Sequence, residues 1–168
     1  MSSVTGRLSL NVDMLLSSAL DIGVAEYKPQ YGANYVFENG TGANQANELF
    51  ADVRTLAASA NENLDLAGSL TNAFGATITF DKIKALIIKA DAGNTNDVLV
   101  GGAAASQASA FFGDATDVVK VKPGGTVAFI APDATGYDIT ATSADLLKIA
   151  NSAAGTSVTY TVIIIGVV

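Results

Sequence analysis

The residue types that most enzymes use for catalysis or metal binding are sparse in this chain. The sequence contains no histidine and no cysteine. Without histidine it lacks the usual general base at neutral pH and any Ser–His–Asp triad. The common zinc, iron and copper sites, which depend on histidine or cysteine, are disfavoured for the same reason. The chain has no disulfide and no thiolate nucleophile, so its composition leaves the redox compartment open.

Carboxylates are the remaining candidates for acid–base chemistry. A pair of them can support glycoside hydrolysis, so an enzyme that degrades a cell-surface polysaccharide is one hypothesis. The available glutamates are Glu26, Glu38, Glu48 and Glu62. None of the four lies in a recognisable motif, which favours solvated positions on loops and strand faces. We therefore predict a protein that is not an enzyme.

Two loops resemble ligand-binding motifs in part. Asp91–Asp97 (DAGNTND) offers oxygen ligands around a glycine, but it lacks the EF-hand spacing and its bidentate glutamate, so a polar turn is the favoured interpretation. Gly101-Gly102 and Pro123-Gly124-Gly125 lack the Gly-Lys-Ser/Thr ending of a phosphate loop. Pro123-Gly124 instead suits the central pair of a type II turn. We predict no cofactor and no metal.

Lysines at alternate positions form two short basic strips. Lys82 and Lys84 are expected on the outward face of one strand, and Lys120 and Lys122 on that of another. Lysines on exposed strands discourage edge-to-edge aggregation, which is the favoured role. The alternative is that these four lysines form assembly contacts with an acidic partner.

Composition limits the classes of partner. The formal net charge is −7, so phosphate backbones and acidic membranes would repel the surface, and we expect no nucleic acid and no membrane as partners. The longest apolar run, 162–168, is far shorter than the ~20 residues of a spanning helix. No secretion signal is evident, and we expect a soluble chain. Only 15% of residues are charged, which indicates a surface partly buried against other subunits, unless alanine and glycine alone inflate the apolar fraction.

Periodicity predicts a single β-sandwich domain over residues 1–168. Residues 8–16 alternate between apolar and polar, which predicts an N-terminal strand, and residues 1–16 are a candidate inter-subunit contact. From Asp117 onward, five apolar runs alternate with turn clusters, as in antiparallel sandwiches. We expect an all-β, antiparallel, jelly-roll-like sandwich of eight or nine strands with little helix.

Three segments are harder to interpret. Residues 44–53 fit either a short helix or a strand, with a slight preference for the helix, and residues 17–29 are expected to be a connection. Residues 55–66 are either one long strand or two strands around a turn at 60–63. In 76–90 the apolar positions change parity, which predicts a bulge near Asp81-Lys82 that returns Ile83, Ala85 and Ile87 to the core.

The closing strand is unusual because its second half is apolar on both faces. From Val158 to Val162 it alternates, with threonines on the second face, but Ile163, Ile165 and Val167 make that face apolar as well. A strand that ends dry on both faces needs something to cover it. Ile163, Ile165, Val167 and Val168 are therefore candidate assembly contacts.

The segments from Asn44 to Ile88 and from Gly93 to Gly166 resemble small virion structural proteins of tailed bacteriophages. The similarity rests on NQANELFADVRTLAASANENLDLAGSLTNAFGATITFDKIKALII, GNTNDVLVGGAA and FFGDATDVVKVKPGGTVAFIAPDATGYDITATSADLLKIANSAAGTSVTYTVIIIG. These stretches contain strands and turns but no catalytic residue. The resemblance implies a jelly-roll or sandwich protein that serves as an accessory part of the particle.

Two roles follow from that resemblance. The first is a decoration (cement) subunit on the capsid exterior, made in the host cytoplasm, with itself, as a homotrimer, and the major capsid protein as partners. The second is a fibre or tail-tip module that binds a host glycan, with Tyr31, Tyr35 or Tyr137 stacking on sugar. The low aromatic content of 7% and the lack of tryptophan weigh against the second role.

Overall fold

The computed structural model describes residues 3–168, which form fourteen strands and one short 3-10 helix. The strands are β1 (Gly6–Asp13), β2 (Leu16–Ala19), β3 (Val24–Tyr27), β4 (Gln30–Asn39), β5 (Gln45–Ala46), β6 (Glu48–Leu56), β7 (Asn61–Asp65), β8 (Lys82–Ala90), β9 (Val98–Gly101), β10 (Val118–Val121), β11 (Thr126–Ile130), β12 (Tyr137–Asp138), β13 (Leu146–Asn151) and β14 (Val158–Val167); the helix is Ser109–Phe111.

The body of the molecule is a sandwich of two antiparallel sheets, which confirms the predicted fold class. One sheet has the order β11-β8-β14-β6, with β12 added against β8. The other has the order β10-β9-β13-β7. All pairings within these two sheets are antiparallel.

The hydrophobic core lies between the two sheets. In β14 every second residue, Val158, Tyr160, Val162 and Ile164, is fully buried, and β13 contributes Leu147 and Ile149 from the facing sheet. This alternation follows from the two-residue period of a strand, which sends successive side chains to opposite faces. Burial of these apolar side chains is the main favourable contribution to folding.

The last third of the chain contains the five predicted strands, β10 to β14. The total of fourteen exceeds the predicted eight or nine, because short strands and an N-terminal hairpin were not anticipated. The predicted connection at 17–29 is wrong: it contains β2 and β3, which pair with each other. Gly23, with φ +90°, supplies the left-handed residue at the tip of that hairpin.

The preference for a helix at 44–53 is also wrong. Asn44 has φ +56° and ends a tight loop, after which the chain forms β5 and β6. Phe50 and Leu56 point into the core from β6, and β6 pairs with β14 along its length. In 55–66 the chain forms two strands, as in the second alternative, but the turn lies at 57–60 and not at 60–63, because β7 already begins at Asn61.

The bulge in β8 lies later than predicted. The register shifts opposite Ile165 and Gly166, so that Ile165 pairs with Ala85 whereas Gly166 pairs with Ile83. Ile83 is in the core as predicted. Ile87 is not: it pairs with Ile163, and both face away from the core, which on this strand holds Leu86 and Ile88.

A β-hairpin arm precedes the sandwich. β1 pairs with β4 from Gly6 opposite Phe37 to Asp13 opposite Gln30, and β2 pairs with β3 from Leu16 opposite Tyr27. Two residues separate β1 from β2, and two residues separate β3 from β4. The cross-strand pairing of β1 with β4 therefore continues in the same register into the pairing of β2 with β3. Residues 6–37 therefore form one continuous two-stranded ribbon, which we call the arm.

Candidate functional site

A polar cluster joins the edges of the two sheets at β6 and β7. The Arg54 Nε donates to Glu62 Oε2 at 2.8 Å, and its Nη1 lies 2.9 Å from Asp52 Oδ2. On the other side, the buried Tyr160 hydroxyl donates to Glu62 Oε1 at 2.9 Å. Hydrogen bonding to Glu62 raises the pKa of Arg54, and burial, followed by the Glu62 charge, raises the pKa of Tyr160.

This cluster was not predicted from the sequence. The available signal was that Glu62 interrupts an apolar pattern and that Arg54 shares the parity of Phe50 and Leu56. Its members satisfy one another's hydrogen bonds and link β6 to β7 across the sandwich, which is a structural role. The other glutamates lie elsewhere: Glu26 pairs with Lys28 on the arm, and Glu48 accepts from Asn72.

A cleft of about 350 Å³ lies beside the polar cluster. Its polar lining comes from Asp52, Arg54, Asn63, Ser69, Thr71 and Asn72. Hydrogen-bonding groups of this kind suit a hydroxyl-rich ligand. The three tyrosines suggested for sugar stacking are not brought there, since Tyr31 and Tyr35 lie on the arm and Tyr137 packs against Phe111 at a ring-centroid distance of 4.9 Å.

The expectation that Lys84 is exposed is wrong. Its side chain is 0% exposed, and Nζ donates to the main-chain carbonyl of Asp133. The bulge opposite Gly166 places Lys84 outside the regular alternation, and the 131–136 loop covers it. Burial lowers the pKa of Lys84, an effect that the charge of Asp133 opposes. Lys82 stays partly exposed and donates to Ala134 O at 3.3 Å.

Lys120 on β10 and Lys122, which directly follows the last residue of β10, are both exposed, as predicted. β10 is an edge strand of its sheet, which is where lysines discourage pairing with another chain. Both ammonium groups approach Asp97 Oδ2, at 3.8 Å and 3.1 Å. Their charge is thus partly neutralised within the chain.

The 91–97 loop forms the predicted polar turn. Asp91 Oδ1 accepts from the Gly93 amide at 2.7 Å, and the Asn94 side chain exchanges two hydrogen bonds with the backbone of Thr159. The loop's side chains therefore fix it to β14. Among residues 3–168, no group of three or more acidic side chains is arranged to hold a metal ion.

The apolar candidates of the closing strand have different surroundings. Ile163 and Ile165 are half-buried on the face of β14 that points away from the core, whereas Val167 is buried within the chain and Val168 is 44% exposed. Cross-strand neighbours enlarge the apolar surface around Ile163 and Ile165. We call this surface the outer patch; it consists of Leu49, Ala51, Val53, Ile87, Ile163 and Ile165.

The arm carries a second apolar surface. Side chains that face one another across a ribbon share the same face. One face carries Leu8, Leu10, Val12, Leu16, Tyr27, Tyr31 and Tyr35, which we call the arm's apolar face. The opposite face carries polar pairs, such as Ser9 with Asn34 at 2.7 Å and Glu26 with Lys28 at 2.7 Å.

Comparisons with known proteins found no relative: no family model, curated protein or solved structure matches the chain. No helix in the part of the chain that the structure describes is long and apolar enough to cross a membrane.

Proposed function

We propose that this protein is a non-enzymatic structural subunit of a bacteriophage particle, and specifically a decoration subunit on the outside of the head. The observation that carries the proposal is the pair of uncovered apolar surfaces, the outer patch and the arm's apolar face, on a rigid sandwich. Exposed apolar patches of this size mark protein–protein contacts. A subunit that works by assembling needs such surfaces and no catalytic group.

The strand order supports this proposal. The two sheets contain eight main strands, which can be numbered one to eight in chain order: β6, β7, β8, β9, β10, β11, β13 and β14. In these numbers one sheet has the order one, eight, three, six, and the other has the order two, seven, four, five. This order supports the proposed jelly-roll arrangement, a double-sheet architecture found in viral capsid domains. A shared architecture does not define a function, so it adds only to the sequence resemblance.

Charge supports a position on the outside of the particle. A surface with a net charge of −7 would be repelled by packaged DNA. The proposed partners are other copies of this chain, as a trimer by analogy with the phage virion proteins that the sequence resembles, and the major capsid protein.

The second candidate function is a fibre or tail-tip module that binds a host glycan. The polar cleft beside Arg54 is the observation in its favour, because its size and hydrogen-bonding lining suit a sugar. The dispersed tyrosines weaken this candidate, since no pair of them lines that cleft.

Quantitative mass spectrometry of purified particles tests the proposal. A decoration subunit should be present in a copy number comparable to that of the major capsid protein. A copy number close to that of a tail-tip protein would favour the second candidate. Absence of the chain from intact particles would contradict both.

A further inference from the structure

We infer that the arm's apolar face docks onto the outer patch of a second copy of this chain. The inference goes beyond the proposed function and does not depend on it, because it concerns how two purified copies associate. It follows from three features of the structure: an arm that needs a cover, a fixed root beyond which the arm does not pack on its own sandwich, and a patch that the arm's chemistry matches.

The arm is too thin to cover its own apolar face. Isolated two-stranded hairpins are marginally stable in water, and a third strand or a packing partner is normally required. Leu16 and Tyr31 are 69% and 61% exposed, and every residue of β2 and β3 is exposed. An apolar face of this kind on a two-stranded ribbon is therefore incomplete without a packing partner.

The root of the arm is fixed to the sandwich. Phe37, on the apolar face at the base, is 2% exposed. The Glu38 amide donates to Asn44 O at 3.0 Å, and the Gly40 amide donates to Ala46 O at 3.1 Å. The arm is about 50 Å long at roughly 3.3 Å per residue. β2 and β3 are exposed throughout, and β1 is exposed except at Leu8, so the arm does not pack on its own sandwich.

The outer patch has the complementary chemistry. Its six side chains are uncharged, with the exposed Lys89 at its border opposite Thr161, and Leu49 and Val53 are 42% and 65% exposed. It lies on the outer face of a sheet, and sheets pack face to face through such surfaces. A basic partner would find no acidic side chain on either surface. A second copy, in contrast, provides an apolar patch for the arm's apolar face and an apolar arm face for the outer patch.

The areas involved are those of a stable association. Five side chains of the arm's apolar face that are 41–69% exposed (Leu10, Val12, Leu16, Tyr27 and Tyr31) present on the order of 500 Å² at roughly 100 Å² each. When two copies exchange arms, each copy buries one arm face and one patch against the same partner, which is on the order of 1,000 Å² per copy. A typical stable interface buries about 800 Å² per partner.

The test compares three double variants of the full chain with the wild type by sedimentation velocity. Leu16→Asp with Tyr31→Asp places charges on the arm's apolar face, and its matched control, Ser17→Asp with Gln30→Asp, places them on the opposite face. Leu49→Asp with Val53→Asp alters the outer patch. These positions are all exposed, so the sandwich should still fold, which circular dichroism verifies.

We expect the wild type and the control to self-associate. The arm variant and the patch variant should each self-associate only at a concentration that is higher by a factor of about ten or more. Mixing the arm variant with the patch variant should restore association, because one contact between an intact arm and an intact patch becomes possible. A wild type that stays monomeric would overturn the inference. So would a patch variant that associates normally, since the arms would then pack against each other.

Discussion

Lys84 is buried in the folded chain, and its burial lowers its pKa. The charged ammonium loses water on burial and gains only the carbonyl of Asp133 and the nearby Asp133 charge in exchange. Its pKa is therefore lower in the folded chain than in the unfolded chain, where lysine titrates near about 10.4.

This difference predicts a pH dependence of stability. Between the folded and unfolded pKa of Lys84, the unfolded chain binds more protons, so the free energy of unfolding rises with pH. We expect the wild type to gain stability relative to Lys84→Met as the pH rises from neutral towards about 10.4. Urea titrations of both proteins across this range measure the difference. A difference that stays constant with pH would contradict the prediction.

At this scale the sequence predicted the exposed lysines but not the enclosed one. Lys120 and Lys122 alternate with Val119 and Val121 on an edge strand, and they are exposed as the two-residue period requires. Lys84 has the same sequence spacing, but the bulge in β8 removes it from that period. Nothing in the local pattern indicates whether a loop distant in sequence will cover a lysine.

At the scale of elements, the bulge between β8 and β14 depends on the absence of a side chain at Gly166. A Cβ at this position would lie 2.5 Å from Lys82 O and 2.7 Å from Phe80 Cδ1. The first neighbour is backbone, which cannot move without disturbing the register of two central strands. Gly166 is thus a steric requirement of the closing strand.

Gly166→Ala should lower the free energy of unfolding by about 1–3 kcal/mol because the close contact strains both strands. Gly6→Ala is the matched control, since a Cβ there meets nothing within 4 Å, and its effect should stay within about 0.5 kcal/mol. Denaturant unfolding of both variants measures the effect. Equal stability of Gly166→Ala and the wild type would show that the bulge relaxes freely.

Elements separated by clear turn residues were predictable, and elements that depend on long-range pairing were not. Pro123-Gly124 forms the predicted type II turn, with φ +75° at Gly124 and a 2.8 Å bond from the Gly125 amide to Lys122 O. Gly23 and Pro29 lie in the segment expected to be a connection, 17–29, which instead belongs to the arm hairpin. β6 was ambiguous because its pairing with β14 is about a hundred residues away in sequence.

At the scale of the whole molecule, the two apolar surfaces could be predicted only in part. The alternation at 8–16 indicated an apolar strand face, and Ile163 and Ile165 indicated a dry second face on β14. The sequence did not show that β2 and β3 extend the first surface, or that Leu49 and Val53 lie beside Ile163 and Ile165. Those relations arise from strand register, which only the folded chain defines.

Charge and association oppose each other in this molecule, because each copy carries a net charge of −7 while the surfaces proposed to meet carry no charge. Raising NaCl from about 0.01 M to about 1 M shortens the Debye length from about 30 Å to about 3 Å, which screens the repulsion between copies. The contact itself is apolar and needs no ion pair, so self-association should strengthen with salt. Sedimentation equilibrium at several salt concentrations measures this, with the variant Leu16→Asp with Tyr31→Asp as the control that should gain little. Association that weakens with salt would mean that ion pairs, and not the apolar faces, hold the copies together.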